Sequence, residues 1–461
     1  MPSPFHGIDT SARALRAFQR MLETTGHNIA NVNTRGYSRQ TVDLSTSEPL
    51  RYFQMGERSL GTGVIVGSIN RSRDLFLESR MRNATGDMTR YQTMATNVKG
   101  ILGVLREPGA DGISAALGKF FDSWSGLASN PAENANRLAV QTAGKDLAGR
   151  IRAAWQEFNT QNLQKTDEIT SAIAQVNDLG KTISDLNDQI RAQLATGGQP
   201  NDLMDSRDLA IRDLSQLVNV NTTQLGDGTI TVNVSEFTLV DTTGYRTLPD
   251  TYDPATGRIT GWTVPVQIRS GQLSGLLQSV GQNQAAMDQL DDLANNLRTH
   301  INTLHLTGTN PNGTTGIRFF NDVAVPPQTG AVDFDLSADV LADFRNISNS
   351  TSGASGDGGL ALSIANARRT SIAALGNKTF IDFHKDEVTR LGGDAAFYQS
   401  VADTQSAILN QIDQQQQSVS GVNLDDEMAN MLRFQRAYQA AAKTLTTFDQ
   451  VTEDLINMLR R

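Results

Sequence analysis

Both ends of this chain carry apolar residues at heptad spacing, and that pattern constrains the fold more than any other. Near the N-terminus Ile8, Leu15, Leu22 and Ile29 fall seven apart. Near the C-terminus Leu424, Met431, Tyr438 and Leu445 form one row, and Phe434, Phe448 and Leu455 belong to a second row three residues on. Stripes this narrow belong to helices that pack on other helices. A helix of ~25 residues is only marginally stable alone in water, so each stripe predicts a partner. The two seams are expected to pair, antiparallel or side by side, and to do so mainly between subunits. In a lone chain both would then stay exposed and the ends would fray.

The first helix is predicted from about Ile8 to Val32 and has a marked end. Asn31, Asn33 and Gly36 tolerate left-handed backbone angles, and asparagine side chains bond to backbone groups that a helix leaves unpaired. Beyond them Tyr37, Arg39 and Thr41 alternate with Ser38, Gln40 and Val42, the period of a strand. Ala30, Asn31, Thr34, Gly36 and Tyr37 resemble the N-terminal signature of the bacterial flagellar axial proteins. The fuller run, from Thr25-Gly26-His27-Asn28 to Gly36-Tyr37-Ser38-Arg39-Gln40, resembles the hook-associated protein 1 family. So do the segments from Pro200 to Asp208 and from Met428 to Lys443. Arg35 stands where the family usually has proline, which leaves this turn less rigid.

The resemblance implies a structural protein at the junction of flagellar hook and filament. It implies a location outside the cell, reached unfolded through the flagellar export channel without a cleavable signal. The partners implied are copies of the chain itself, hook protein, hook-associated protein 3 and a cytoplasmic export chaperone that holds the C-terminal helix. Shielding an exposed apolar seam is the physical reason for such a chaperone. Another axial protein of rod or hook is the near alternative; a secreted enzyme or adhesin is the distant one.

The rest of the chain reads as mainly α with a small β insert: an elongated helical bundle or rod, with the terminal helices as a coiled-coil-like axial core. Residues 1–72 read as the N-terminal axial helix plus a β-hairpin. Residues 73–217, 271–307 and 361–420 read as three parts of a helical rod. A β-rich insert occupies 218–270, a loop-rich reduced insert 308–360, and the C-terminal axial helix 421–461. The stretch from about Ala132 to Leu194 is too long for an ordinary globular helix, and within it Ile169, Val176, Ile183 and Ile190 hold a heptad. Asn201 or Asp202 is expected to cap the helix that follows Pro200, and Asn423 the last one. Composition predicts a mobile stretch from Ser348 to Gly359.

Composition narrows the function classes. Hydrophobic residues make up 38 % and aromatics 6 %, below the usual range for a compact enzyme. The net charge of −9 opposes nucleic acid as the main partner, because phosphate binding needs a basic face. With no cysteine, disulfides, thiolate metal sites and cysteine nucleophiles are excluded. No apolar run reaches the ~18 residues of a membrane span, and residues 1–5 lack the layout of a cleavable signal.

No catalytic, cofactor or metal site is expected. Gly180-Lys181-Thr182 imitates the end of a phosphate-binding loop, but Gln175 stands where its first glycine belongs. His300 and His305 are five apart, off the four-residue zinc spacing, and read as polar helix-face residues. His27 reads as a hydrogen-bonded helix-end residue. Asp291-Asp292 and Asp425-Asp426 read as solvated faces and caps.

Overall fold

The computed structural model describes residues 5–53, 57–322 and 330–459. It is 65 % helical with few strands, as the heptads and long Pro-free stretches require. Two compact units form. The first comprises residues 1–86, 175–248 and 405–461; the second comprises 87–174 and 249–404. Gly56 and the first four residues lie outside the described residues.

In the first unit, α1 (His6–Ala30) leads through the signature turn into β1 (Gln40–Thr46). That strand pairs antiparallel with β4 (Val64–Arg71), with Gln40 opposite Arg71 and Thr46 opposite Val64. Between them, β2 (Leu50–Phe53) and β3 (Glu57–Leu60) form a further antiparallel pair. The start of α2 (Leu75–Leu105), as far as residue 86, follows, and α10 (Leu424–Leu459) closes the unit. Asn423 caps α10 as expected, its Oδ1 accepting the Asp425 N–H at 2.9 Å.

α1 and α10 pack together within one chain. Asn28 bonds to Glu427 near one end of the pair. At the other, a Cβ on Gly7 would lie 2.6 Å from the Phe448 ring, so the helices run antiparallel. The expectation that both seams stay exposed in a lone chain is therefore corrected. The two stripes find each other intramolecularly because β1 and the link before α10 bring the helix ends side by side: Arg39 N–H donates to the Ser420 carbonyl at 3.0 Å.

The β insert in this unit is a sheet of order β5-β6-β7-β8, formed by β5 (Asn221–Gln224), β6 (Ile230–Val234), β7 (Phe237–Asp241) and β8 (Gly244–Tyr245). Ile230, Val232 and Val234 face inward in alternation, as a one-sided sheet demands. The C-terminal part of α4 (Asn134–Ala195) and α5 (Asn201–Leu217) belong to the same unit. A Cβ on Gly180 would lie 3.1 Å from Leu239, so this glycine allows close helix–strand approach and cradles no phosphate. The heptad of Ile169, Val176, Ile183 and Ile190 is fully buried along α4.

The second unit has an aromatic core. Phe120, Phe121 and Trp124 from α3 (Ile113–Ser129) meet Phe319, Phe320, Phe334 and Phe380, all buried. Phe320 and Phe334 have ring centroids 4.5 Å apart, and Phe319 meets Phe320 edge-on at 4.9 Å. α6 (Gly271–His305), the short α7 (Ala338–Ala342) and α8 (Gly359–Asn366), and the start of α9 (Phe380–Ser420) complete this core. Residues 308–360 thus supply much of it, despite their Gly/Pro/Asn-rich composition. The stretch expected to be mobile is organised around Asp357. Its carboxylate accepts from Ser350 Oγ, Thr351 N and Ser352 N at 2.8 Å each.

His305 corrects a second expectation. It is wholly buried, edge-on to Trp124 and Phe319, and not on a polar helix face. Its Nδ1–H donates to the Ile317 carbonyl at 2.7 Å, and Nε2 accepts the Ser348 N–H at 2.9 Å. The neutral ring therefore uses both nitrogens, and burial pushes its pKa down to about 4. Asp291, expected on a solvated face, turns partly inward to accept the Ala331 N–H at 2.6 Å.

The unfolded chain takes up a proton on His305 near pH 6.5, whereas the folded chain resists until about pH 4. Stability is thus present above pH 6.5 and falls as pH drops toward 4, by about 3 kcal/mol in all. Denaturant midpoints at pH 8, 6 and 5 should show a smaller loss for His305→Leu than for the unaltered chain. At pH 8 the variant should be the less stable, since the Ser348 N–H loses its acceptor.

Candidate functional site

The signature turn, the strand after it and the start of α10 converge on one side chain, Asn28, in the last turns of α1. Its Oδ1 accepts the Gln40 N–H at 2.9 Å and the Tyr37 hydroxyl at 2.7 Å. Its Nδ2 donates to the Gln40 carbonyl at 2.9 Å and to Glu427 Oε2 at 3.2 Å. A primary amide offers two acceptor sites and two donors, and all four are used here. Asn28 and Glu427 are each 1 % exposed. Arg39 Nε donates to the other Glu427 oxygen at 2.7 Å.

A second layer backs the first. Asp205, on α5, accepts the Ser38 N–H at 3.0 Å and an Arg71 N–H at 2.7 Å. Arg71 also reaches Asp208 at 2.8 Å, and Arg73 bridges Asp208 and Glu78. Burial pushes the Asp205 carboxyl up, and the bonds from Ser38 and Arg71 only partly oppose it. Burial pulls Arg73 down, but Asp208 and Glu78 outweigh it and hold the guanidinium above its usual value. The Tyr37 phenol is pushed up by burial and then by the carboxylates of Asp202, Asp205 and Glu427. It therefore stays a neutral donor to Asn28.

The residues expected to cap α5 do other work. Asn201 Nδ2 donates to the Ile69 carbonyl at 2.8 Å, and Asp202 accepts from Gln40 Nε2 at 2.9 Å. Pro200 occupies the cap position without a side-chain bond. His27 lies 3.2 Å from Asp202 and edge-on to Tyr37. Deeper in the unit Arg207 donates to Asn187 Oδ1 at 3.0 Å and to the Gly228 carbonyl at 2.7 Å. Burial pushes its pKa down to about 10.

Of the signature residues, the structure brings Tyr37, Ser38, Arg39 and Gln40 into this network. Gly36 has φ +84°, and a Cβ there would lie 3.2 Å from Leu209, so glycine is required twice over. Asn31 and Thr34 bond locally, Thr34 Oγ1 donating to Asn31 Oδ1 at 3.1 Å. Ala30 is exposed. Of the seam residues, Ile8, Leu15, Leu22, Ile29, Met431, Phe434 and Leu445 are half-buried. Leu424, Tyr438, Phe448 and Leu455 remain 37–47 % exposed.

Sequence reasoning missed Glu427, Asp205, Arg71, Arg73 and Glu78 as parts of one network. A signal existed for Glu427. It falls seven residues before Phe434, and a carboxylate in an apolar heptad row calls for a partner. Among the described residues no group of three or more His, Asp or Glu is arranged to hold a metal ion, and no helix is long and apolar enough to cross a membrane.

The terminal helices that this network joins are also segments that match flagellar protein families. Residues 8–37 match the flagella basal body rod protein family, and residues 413–458 match the flagellar basal body rod FlgEFG protein C-terminal family. Between them residues 99–320 match the helical domain of flagellar hook-associated protein FlgK. The chain is 30 % identical to flagellar hook-associated protein 1 of Bacillus subtilis (strain 168), over 99 % of both chains. It is 26 % identical to the proteins of that name from Salmonella typhimurium and Escherichia coli K12, over 98 % of this chain and 99 % of each relative. The flagellar hook junction protein FlgK of Burkholderia pseudomallei has the same fold. Its TM-score is 0.64 at 17 % identity, covering 74 % of this chain and all of that one. The chain belongs to the flagellar hook-associated protein 1 family and is a structural component of the flagellum.

Glu427→Ala should loosen the α1–α10 pair while leaving the second unit intact. Arg39 keeps some solvent, so the cost is about 2–3 kcal/mol. Hydrogen exchange at the amides of residues 24–31 should speed up, with no change at residues 113–129. Combining Glu427→Arg with Arg39→Glu should restore part of the protection.

Proposed function

We propose that the chain is the junction subunit between hook and filament. Copies of it form a ring through the terminal helices, one edge of the ring seats on hook protein, and the other receives hook-associated protein 3. Ile8, Leu15, Leu22, Ile29, Met431, Phe434 and Leu445 hold α1 against α10 within each subunit. Leu424, Tyr438 and Leu455 pack against neighbours, joined by the exposed part of Phe448, whose ring also meets Gly7 of α1 within the subunit. The signature residues from Ala30 to Gln40, with Asn28 and Glu427, set the pair in a fixed pose. The chain leaves the cell unfolded, and a cytoplasmic chaperone covers its C-terminal helix before export.

One observation carries this reading. After α1 has paired with α10, large apolar side chains on α10 still face solvent, Leu432 at 57 % and Leu455 at 47 % among them. A stable monomer has no use for that surface, and a stacked subunit does.

Cells lacking the chain should build complete hooks, carry no filaments and shed flagellin into the medium. The intact chain should restore filaments. Leu455→Asp, which puts a charge on the outer stripe without touching Asn28 or Glu427, should leave filament number at or near that of the deletion. Electron microscopy and a flagellin assay of the medium read both outcomes. Absent hooks would instead identify a rod or hook component. Normal filaments would reopen the enzyme and adhesin readings.

A further inference from the structure

We propose that Met428 and Met458 are oxidation sites at which a peroxide controls whether the free chain can assemble. The chain has eleven methionines and no cysteine, so the thioethers are its only oxidisable sulfur. Their exposure is uneven. Met81, Met94 and Met287 are buried at 4–6 %, and Met21, Met88, Met204 and Met431 are half-buried. Among the described residues only Met428, at 58 %, and Met458, at 76 %, are freely exposed, and both lie on α10. The chemistry follows exposure. The sulfur lone pair attacks one oxygen of hydrogen peroxide, the O–O bond breaks, and the second oxygen leaves as hydroxide and takes up a proton to become water. The thioether becomes a sulfoxide, oxidised by two electrons, and the peroxide is reduced.

The position of the two sites gives the reaction a consequence. Met428 lies one helical turn from both Leu424 and Leu432, which are 45 % and 57 % exposed. Met458 shares the last turns with Val451, Leu455 and Ile456, which are 47–53 % exposed. A sulfoxide is a strong hydrogen-bond acceptor, and burying it in an apolar contact leaves it unpaired. Oxidation therefore makes this outer face of α10 unfit to pack while leaving the Asn28–Glu427 network alone. Once the face is covered in an assembly, the same sulfurs are out of reach. This consequence rests on the junction reading; the identity of the reactive methionines does not.

The test uses the full-length chain with hydrogen peroxide and two readouts. Peptide mass spectrometry over time should show Met428 and Met458 converting on the order of tenfold faster than Met81, Met94 and Met287, in line with their exposure. Uniform conversion, or earlier conversion of the buried three, overturns the site assignment. Treated and untreated chain are then added to hooks isolated from cells lacking it, and bound chain is counted. Untreated chain should bind, oxidised chain should bind several-fold less, and a treated Met428→Leu/Met458→Leu chain should bind like untreated. Oxidised chain that binds normally overturns the control function. Failure of the untreated chain to bind overturns the junction reading and the control built on it, while the mass spectra still decide the sites.

Discussion

The buried carboxylate of Glu427, held between Arg39 and Asn28, is the contact on which the arrangement of the terminal helices depends. An apolar seam attracts without direction. Two heptad stripes sliding past each other by seven residues would meet with almost the same complementarity. Glu427 removes that freedom, because only one register sets its two oxygens opposite Asn28 Nδ2 and Arg39 Nε. In any other register a charge exposed at 1 % would have no partner, a far larger penalty than a mismatched methyl group. The apolar seam provides adhesion and the polar pair provides the register.

Asn28 extends that constraint to the chain reversal. With its four hydrogen-bonding positions filled by Gln40, Tyr37 and Glu427, no other residue type substitutes. Aspartate would lack the two donors, and glutamine would carry them a bond too far. The turn from Asn31 to Arg39 is thus closed from inside, and Arg35 at its apex is held from outside by Asp213 at 2.5 Å. The second layer is electrically balanced: Arg71, Arg73 and Arg82 face Asp205, Asp208 and Glu78. The six side chains are 8–17 % exposed, so the alternation of sign keeps them together at little net cost.

The helices were legible because their signals are local. Heptads, Pro and Gly stops and an Asn423 cap lie within a few residues of what they determine. So was the extended segment after the signature turn, from its period of two, although β1 begins only at Gln40. What was illegible depends on residues far apart in sequence. Glu427 looks like one more acid in the first turn of a helix until the fold sets it beside Asn28, about 400 positions earlier. Phe319, Phe320 and Phe334 sit in a stretch whose glycines and prolines announce loop, yet a loop held by aromatic side chains is core. The spacing of His305 from His300 carries no information about its environment, which is set by Trp124 and Phe319. Asp357 orders a serine-rich stretch by drawing several N–H and O–H groups onto one carboxylate, and composition averages cannot register a single organising residue.

Helix length says why α10 cannot be satisfied by α1. At ~1.5 Å per residue a 36-residue helix outruns a 25-residue one by about 16 Å. Since Gly7 faces Phe448, the end of α10 beyond that ring has no counterpart among the described residues of α1. Val451, Leu455 and Ile456 are exposed there, on a face that α1 is too short to reach. Among the described residues that face of α10 stays open however well the seam packs. A subunit constructed this way has a closed inner contact with one fixed register and an open outer one. Closing the outer contact takes apolar surface that this α1 does not supply, and a further copy of a similar helix pair offers surface of that kind.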